Sequence, residues 1–230
     1  MLGPPNSGKS LLLSNFTKAK SEVSPTPYTT TMPVVGMLQY ENIQFQLIDT
    51  PSIMQDFISP AVLTLIRNAD LCLGVVSLAS DGLLDELDVV LTVFNDQRGD
   101  AEVGYLVVAN QLDASGASDR LEILTEFYGE DLHIYPISAE TGEGKDALSQ
   151  AFYDTLDIVR VYPKAPGKPI ERDDPIVLPN GSTVLDAALG LHKDFAEFKF
   201  ARIWGPEWHD GQPVSRNDVI YDGDVVEFHL

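Results

Sequence analysis

The sequence predicts an α/β domain with a mostly parallel sheet, followed by a small α+β domain. Through the first two thirds of the chain, short β-rich runs alternate with helical patterns. The apolar strands are continuous, which is typical of a sheet that is covered on both faces. A segment rich in proline then separates this region from a different pattern. We therefore place the first domain at residues 1–159 and the second at residues 160–230.

Local signals place the elements in chain order. In the first domain, strands are expected at 34–40, 43–48, 71–77, 103–109 and 133–137, and helices at 9–20, 60–67, 83–97, 119–128 and 145–159. Three prolines and a glycine between 160 and 169 exclude a helix there. In the second domain, strands are expected at 175–178, 198–204 and 225–229. Asn180-Gly181 is predicted to be a hairpin turn, and Ser182 or Thr183 to cap a helix that ends near Leu191.

The start of the chain is unusual for such a sheet. A phosphate-binding loop normally follows a complete central strand, but here only Met1 and Leu2 precede Gly3. We expect the first strand to be largely missing, as in a fragment or a chain with a misassigned start codon.

The composition restricts the possible partners. The formal net charge is -20, which opposes unaided binding to nucleic acid or to an anionic membrane. The single cysteine, Cys72, lies within an apolar run and is expected to be a buried small hydrophobic residue, without a disulfide. No apolar run approaches the length of a membrane-spanning helix. We expect a cytoplasmic protein without a membrane or DNA partner.

The first ten residues contain a nucleotide-binding motif. The spacing Gly3-x-x-x-x-Gly8-Lys9-Ser10 matches the P-loop, in which backbone N–H groups and a helix N-terminus surround the phosphates. Lys9 is expected to reach the β- and γ-phosphates, and the Ser10 hydroxyl to ligate Mg²⁺. The residues expected to surround the phosphates are Pro5, Asn6, Ser7, Gly8, Lys9, Ser10 and Leu11.

Two further segments are expected to complete the magnesium site. Asp49 directly follows the apolar residues of a predicted strand, where a carboxylate would face the phosphates and support the metal. The run Tyr28-Thr29-Thr30-Thr31 lies between the P-loop and Asp49, and a threonine in it would ligate Mg²⁺ when the γ-phosphate is present. On its own, such a run is more often a solvated loop.

Two later segments are expected to select the base. Asn110 and Asp113 resemble the base-reading pair of GTPases, in which a carboxylate accepts hydrogen bonds from N1–H and the exocyclic amine of guanine. Adenine lacks this pair of donors, so the carboxylate determines the choice of base. The segment Ser138-Ala139-Glu140 is expected to contribute backbone groups to the base.

These motifs together resemble the Obg and developmentally regulated GTP-binding (DRG) family of Ras-like GTPases. Tyr28-Thr29-Thr30-x-x-Pro33-x-x-Gly36 is similar to the family's switch signature. Residues 160–230 resemble a TGS domain, a small β-grasp module. The resemblance implies a GTP/GDP switch with bound Mg²⁺, slow hydrolysis of the γ-phosphate, and association with the ribosome or RNA. It makes Thr30 the threonine that senses Mg²⁺ and, with Lys9, a catalytic residue.

Three positions depart from the wider GTPase pattern. Ser52 replaces the glycine whose amide meets the γ-phosphate, and Gln111 replaces a lysine that packs on the base and links to the P-loop. We expect weaker nucleotide affinity from the loss of that link. Ile53 occupies the position at which other GTPases have a water-orienting glutamine. The nearest arginine is Arg67, which is expected to be a surface charge. Both observations predict slow GTP hydrolysis.

Alternatives remain open at this point. Ser52 and Gln111 are also compatible with a catalytically decayed nucleotide-binding module, or with an adaptor whose TGS domain binds a protein. Four basic residues, Arg160, Lys164, Lys168 and Arg172, stand against Glu171 alone and form either a solvated surface or a small patch that contacts RNA phosphates. Trp204 and Trp208 are expected to pack in the core, with base stacking as the alternative.

Overall fold

The computed structural model describes residues 1–17, 33–53, 58–98 and 103–230, and the chain forms two compact units. The first consists of Met1–Gln39 and Gln44–Thr155, and the second of Tyr40–Ile43 and Leu156–Leu230. The predicted domain boundary after residue 159 falls within a strand of the second unit, Ile158–Lys164. The exact boundary between the two predicted domains therefore stays a prediction.

The described part of the first unit alternates strands and helices as predicted. Its strands are β1 (Val34–Tyr40), β2 (Ile43–Asp49), β3 (Leu71–Ser77), β4 (Gly104–Asn110) and β5 (Ile134–Pro136), and its helices are α1 (Lys9–Phe16), α2 (Pro60–Asn68), α3 (Leu83–Arg98), α4 (Ala117–Tyr128) and α5 (Lys145–Leu156).

A parallel sheet in the order β3-β4-β5 forms the centre of this unit. Almost every residue of β3 is buried, and so are the last five of β4, because both faces of these strands are covered. The register pairs Ser77 with Asn110, so the carboxyl ends of the two strands are level. The predicted α/β class with a mostly parallel sheet is confirmed.

The first two residues connect the β1–β2 pair to this sheet. Leu2 forms a parallel bridge with Gly74, with backbone hydrogen bonds of 2.7 Å from Leu2 N to Leu73 O and from Val75 N to Leu2 O. On the other side, Met1 N donates to Ile48 O of β2 at 2.7 Å. Leu2 is 2 % exposed and belongs to the core.

Two predicted helices end earlier than expected. The helix predicted over 9–20 ends at Phe16, because Thr17 is extended and its hydroxyl donates to Leu13 O at 2.6 Å; residues 18–20 lie outside the described part. The helix predicted over 145–159 ends at Leu156, because Asp157 adopts a positive φ of 46°. In both cases the hydrophobic pattern extends beyond the residue at which the backbone leaves the helical conformation.

The second unit is a five-stranded sheet with one α-helix. Its elements are β6 (Ile158–Lys164), β7 (Ile176–Pro179), α6 (Val184–Leu191), a 3₁₀ helix (Lys193–Glu197), β8 (Phe200–Trp204), β9 (Gln212–Val214) and β10 (Val225–His229). The strand order is β7-β6-β10-β8-β9. One face of the sheet packs with α6 in a core that includes Val161, Ala187, Ile203 and Phe228.

Three local predictions for this unit are corrected. β6 was missed because of its proline, but Pro163 has a strand neighbour on one side only: β7 pairs with residues 158–161 and β10 with 162–164. β9 was also missed. The Asn180-Gly181 turn does not close a hairpin but leads into α6, where Thr183 forms a capping box with Asp186.

Single predictions about packing can also be compared with the structure. Cys72 is 4 % exposed within the core, and burial raises the pKa of its thiol to about 11, as expected of a structural cysteine. Trp208 packs against the core of the second unit and donates from Nε1 to Asp224 Oδ2 at 2.9 Å. Within the described residues, every helix is too short or too polar to span a bilayer.

Candidate functional site

The P-loop is a turn that leads from Gly3 into the first helix. Asn6 and Gly8 have positive φ angles of 64° and 85°, and α1 begins at Lys9. Leu12 and Leu13 are buried and anchor the helix, whereas Leu11 is 38 % exposed. Two of the three leucines in the first turns of α1 are therefore part of the core. The helix N-terminus and its free amide groups are directed at the loop.

Lys9 is almost fully buried within the loop. Its Nζ donates to Gly3 O and Pro4 O, both at 2.9 Å, and lies 3.4 Å from Ser7 Oγ. Burial lowers the pKa of the ammonium group to about 8, although the Asp49 carboxylate opposes this shift. A cation that is desolvated among backbone carbonyls and beside a helix N-terminus is suited to bind a phosphate.

Asp49 has one oxygen that lacks a protein partner. The carboxylate is 1 % exposed, and its Oδ2 accepts a hydrogen bond of 2.6 Å from Ser10 Oγ. Its Oδ1 is buried and makes no hydrogen bond with the described residues. An unsatisfied buried carboxylate oxygen is costly, and a divalent cation with oxygen ligands would satisfy it. The Ser10–Asp49 pair therefore fits the magnesium site that the sequence predicts.

Asn110 connects three loops instead of standing free at the base site. It is fully buried; its Nδ2 donates to Ser7 O of the P-loop at 2.9 Å, and its Oδ1 accepts from Ala139 N at 3.0 Å. Asn15 of α1, which sequence reasoning missed, donates to Ala139 O at 2.9 Å. These contacts hold the P-loop against the segment Ser138-Ala139-Glu140.

Asp113 is exposed and partly held in place. Its Oδ1 accepts a hydrogen bond of 2.6 Å from Ser138 Oγ, whose oxygen in turn accepts from Thr141 N at 3.1 Å. The other carboxylate oxygen accepts no hydrogen bond from the residues that the structure describes. Asp113 therefore presents one oxygen that a pair of donors such as those of guanine can use.

Gln111 keeps a link to the P-loop, and this corrects the expectation drawn from the sequence. It has a positive φ of 65°, and its Nε2 donates to Asn6 O at 3.4 Å. Its Oε1 accepts a hydrogen bond from Ser77 Oγ at the end of β3. Because the side chain bridges two loops, replacing the family's lysine removes a charge but not the connection. Ser77 was not predicted, since its role depends on the strand register.

Part of the predicted switch region lies outside the described residues. Tyr28, Thr29 and Thr30 belong to this part, so the role of Thr30 stays a prediction.

Ser52 is described: its Oγ lies 3.5 Å from Lys9 Nζ. The next residue, Ile53, donates its amide to Gly3 O at 3.0 Å. Arg67 donates to Gln97 of α3 at 3.1 Å, as expected of a surface residue.

Comparisons with protein families agree with this geometry. Residues 1–111 match the model of the 50S ribosome-binding GTPase family, and residues 159–230 match the model of the TGS domain. Residues 1–111 therefore belong to this GTPase family and residues 159–230 form a TGS domain, and the chain is similar to the Obg and DRG GTPases.

Two relatives of this GTPase match almost its whole length. A GTP-binding protein of Methanocaldococcus jannaschii is 26% identical over 298 aligned positions, which cover 98% of this chain and 76% of the relative. Developmentally-regulated GTP-binding protein 1 of Xenopus laevis is 25% identical over 299 positions, covering 98% of this chain and 80% of the relative. Both alignments are longer than this chain, so both relatives carry additional residues within the aligned region.

A solved structure has the same fold as this GTPase. Era, crystallised with MgGDPNP and nucleotides 1506–1542 of 16S ribosomal RNA, superposes with a TM-score of 0.56 at 24% identity. The match covers 88% of this chain and 69% of that chain. This likeness shows the fold, and the family model with the named relatives shows that the chain is a GTP-binding enzyme that hydrolyses GTP.

Two of the four basic residues predicted to form a surface patch on the TGS domain are paired with carboxylates and largely buried. Arg160 is paired with Asp222 through two hydrogen bonds, of 3.1 Å from Nε and 2.9 Å from Nη2, and also with Glu41. Lys164 is paired with Glu227. The side chains of Arg160 and Lys164 are only 17% and 14% exposed, so neither is a free surface cation. Of the four predicted residues, only Lys168 and Arg172 are exposed.

We expect Gly8→Ala to lower nucleotide affinity as well as stability, because the new side chain would both strain the backbone and displace Asn110. A Cβ at Gly8 would lie 2.1 Å from Asn110 Nδ2, and the residue has a positive φ of 85°. Strain of this kind costs about 1–3 kcal/mol, and displacement of Asn110 would also open the link to Ala139. Denaturant unfolding should show reduced stability, and titration with a fluorescent guanine nucleotide should show at least about a tenfold loss of affinity.

Gly181→Ala is the matched control for this variant. Gly181 also has a positive φ, 83°, but a Cβ there would meet nothing within 4 Å. It should therefore lose stability through backbone strain and keep normal nucleotide affinity. Equal nucleotide affinity in both variants would contradict the role that we assign to the Gly8–Asn110 contact.

Proposed function

We propose that this protein is a cytoplasmic GTP/GDP switch that hydrolyses GTP slowly and associates with the ribosome or RNA through its TGS domain. The observation that carries the nucleotide part is the cluster of buried Lys9 and buried Asp49 with the Ser10 hydroxyl, in which a carboxylate oxygen is left unsatisfied beside a helix N-terminus. Asp113, with one oxygen available, supports the choice of guanine.

Different residues would bind the phosphates and the magnesium ion. Lys9 would exchange its hydrogen bonds to Gly3 O and Pro4 O for bonds to phosphate oxygens, and the amide groups at the start of α1 would bind the same anion. Ser10 and Asp49 would hold Mg²⁺, which supplies positive charge to the transferring phosphoryl group when bound. The chain thus positions GTP and stabilises charge, which is most of what phosphoryl transfer needs.

Slow turnover is expected from the residues around the γ-phosphate position. Ile53 cannot orient a water molecule, and its amide is bonded to Gly3 O. Arg67 is held at Gln97, so no arginine among the described residues of α2 is available to stabilise the transition state. An intrinsic rate on the order of 10⁻⁴ to 10⁻³ per second is typical of GTPases that lack an arginine in cis and an activating partner.

A single-turnover assay with GTP and Mg²⁺ tests the proposed activity. We expect phosphate release in that range, and loss of release when Mg²⁺ is removed by a chelator. A rate equal to that in buffer alone would contradict the enzymatic proposal, and it would favour a protein that only holds the nucleotide.

The ribosome or RNA contact can be tested through its salt dependence. Lys168 and Arg172 are exposed, so Lys168→Ala and Arg172→Ala should each lower the slope of log affinity against log salt by about 0.7 to 0.9. Lys193→Ala removes the same charge from an exposed residue of the 3₁₀ helix and should leave the slope unchanged. Ribosome co-sedimentation over a series of salt concentrations provides the measurement, and an unchanged slope in both variants would refute this contact.

A further inference from the structure

The TGS sheet has a polar and aromatic face opposite its core. In the antiparallel pair of β8 and β10, Phe200 lies opposite His229, Arg202 opposite Glu227, and Trp204 opposite Val225. Because side chains alternate along a strand, these pairs share one face, while Ala201 and Ile203 pack in the core on the other.

Phe200 and His229 form a stacked pair of rings at the end of this face. Their ring centroids are 4.1 Å apart, and the ring planes differ by 13°. The imidazole is held from its edge, since His229 Nε2 lies 2.7 Å from Glu227 Oε1. Phe200 nevertheless remains 45% exposed. A large aromatic ring is thus held in a fixed orientation at the surface, although burial in a core is the usual position for phenylalanine.

An unpaired cation lies next to these rings. Glu227 is the residue opposite Arg202, but its carboxylate is shared by Lys164 and His229. Arg202 is exposed and forms no ion pair with any residue that the structure describes. Lys199, which precedes Phe200, is also exposed, with Nζ 3.0 Å from Leu230 O. The face therefore combines an exposed ring with positive charge within two residues of it.

We propose that this face binds single-stranded RNA, with a base stacked on Phe200 and the adjacent phosphate bound by Arg202. Stacking on aromatic side chains combined with cationic contacts to the backbone is the common way to bind single strands. A duplex cannot use the ring, because its bases are already stacked on one another. An apolar protein partner would leave the Arg202 charge buried and unpaired. The inference rests on the RNA association proposed above and identifies the surface that makes it.

Fluorescence anisotropy of the 230-residue chain with a labelled 12-nucleotide single-stranded RNA tests the proposal. Phe200→Leu keeps apolar volume but removes the ring, and it should weaken binding by about 5- to 150-fold. Phe200→Trp should keep the affinity within about twofold, because a larger ring can still stack. Arg202→Ala should lower the salt slope by about 0.7.

Val177→Ala is the control for loss of an exposed apolar side chain. Val177 is 43% exposed on β7 of the same sheet and lies opposite Arg160 in the register. It should bind the oligonucleotide as the unmodified chain does. Circular dichroism and thermal unfolding of every variant separate loss of binding from loss of fold.

The outcomes separate this inference from the proposed function. Unchanged affinity in Phe200→Leu, equal binding of a duplex of the same length, or no binding of the oligonucleotide by the unmodified chain would each overturn the stacking surface. GTP hydrolysis and the salt dependence of ribosome binding at Lys168 and Arg172 would remain as independent tests of the proposed function. Loss of binding in Phe200→Leu with retention in Phe200→Trp would support the inference.

Discussion

Replacing Asp113 with asparagine is expected to change the preferred base from guanine to xanthine. Ser138 Oγ accepts a hydrogen bond from Thr141 N, so its own hydrogen is directed at Asp113 Oδ1. In the variant, this contact would place the carbonyl oxygen of the amide at Ser138 and its NH₂ group towards the base. That group would meet the exocyclic amine of guanine, which is also a donor, whereas xanthine carries a carbonyl at the same position, which would accept a hydrogen bond from it.

The expected size of this effect follows from two lost hydrogen bonds to a charged acceptor. At about 1.5–3 kcal/mol each, their loss corresponds to a reduction in guanine affinity on the order of 10²- to 10⁴-fold. Titrations with fluorescent GDP and xanthosine diphosphate measure both sides of the change. Asp119→Asn, at an exposed position in the first turn of α4, is the control and should leave both affinities unchanged. An Asp113→Asn protein that still preferred guanine would refute base reading by this carboxylate.

Replacing Lys9 with methionine is expected to weaken triphosphate binding strongly while the fold is retained. The ammonium group is the buried cation at the P-loop, and its interactions with phosphate are charge-assisted. We expect GTP affinity to fall by at least about a hundredfold. Methionine fills a similar volume, so the core around Leu12 and Leu13 should remain packed. Titration with a fluorescent GTP analogue measures the affinity, and circular dichroism checks the fold.

The same variant tests the electrostatics of the nucleotide-free protein. Burial lowers the pKa of Lys9 to about 8 in the folded state, below the ordinary value of 10.5 that applies to the unfolded chain. Between these values the unfolded chain binds more protons, so the free energy of unfolding should rise with pH. From pH 7.5 to 9.5 the unmodified chain should gain about 1–2 kcal/mol relative to Lys9→Met in urea unfolding. Parallel stability profiles would show that the group is not desolvated.

Several features of the site could be predicted because they depend on short segments. The P-loop spacing requires a tight turn that ends at a helix N-terminus, and the structure has that turn with Gly8 in a left-handed conformation. Asp49 stands at the end of an apolar strand, so a side chain there reaches the carboxyl edge of the sheet. The Ser10–Asp49 contact follows from these two facts.

Other features depend on pairs of residues that are far apart in the chain. The sequence predicts that Gln111 loses the link to the P-loop, because glutamine lacks the charge of the lysine that it replaces. The structure shows instead that the amide of Gln111 reaches Asn6. Arg160 and Lys164 were counted as surface charges, but Asp222 and Glu227, more than sixty residues later, neutralise them. Summing charge over a segment of sequence cannot detect such pairing.

The sequence by itself determined the fold class, the nucleotide motifs and the TGS domain, because spacing, hydrophobic pattern and turn residues are local properties. Only the tertiary structure decided which polar groups are already satisfied and which remain available. It leaves one oxygen of Asp49, one of Asp113 and the guanidinium of Arg202 without a partner among the described residues. The physical reason is that hydrogen bonding and desolvation depend on distances between side chains, and strand register and loop packing set these distances.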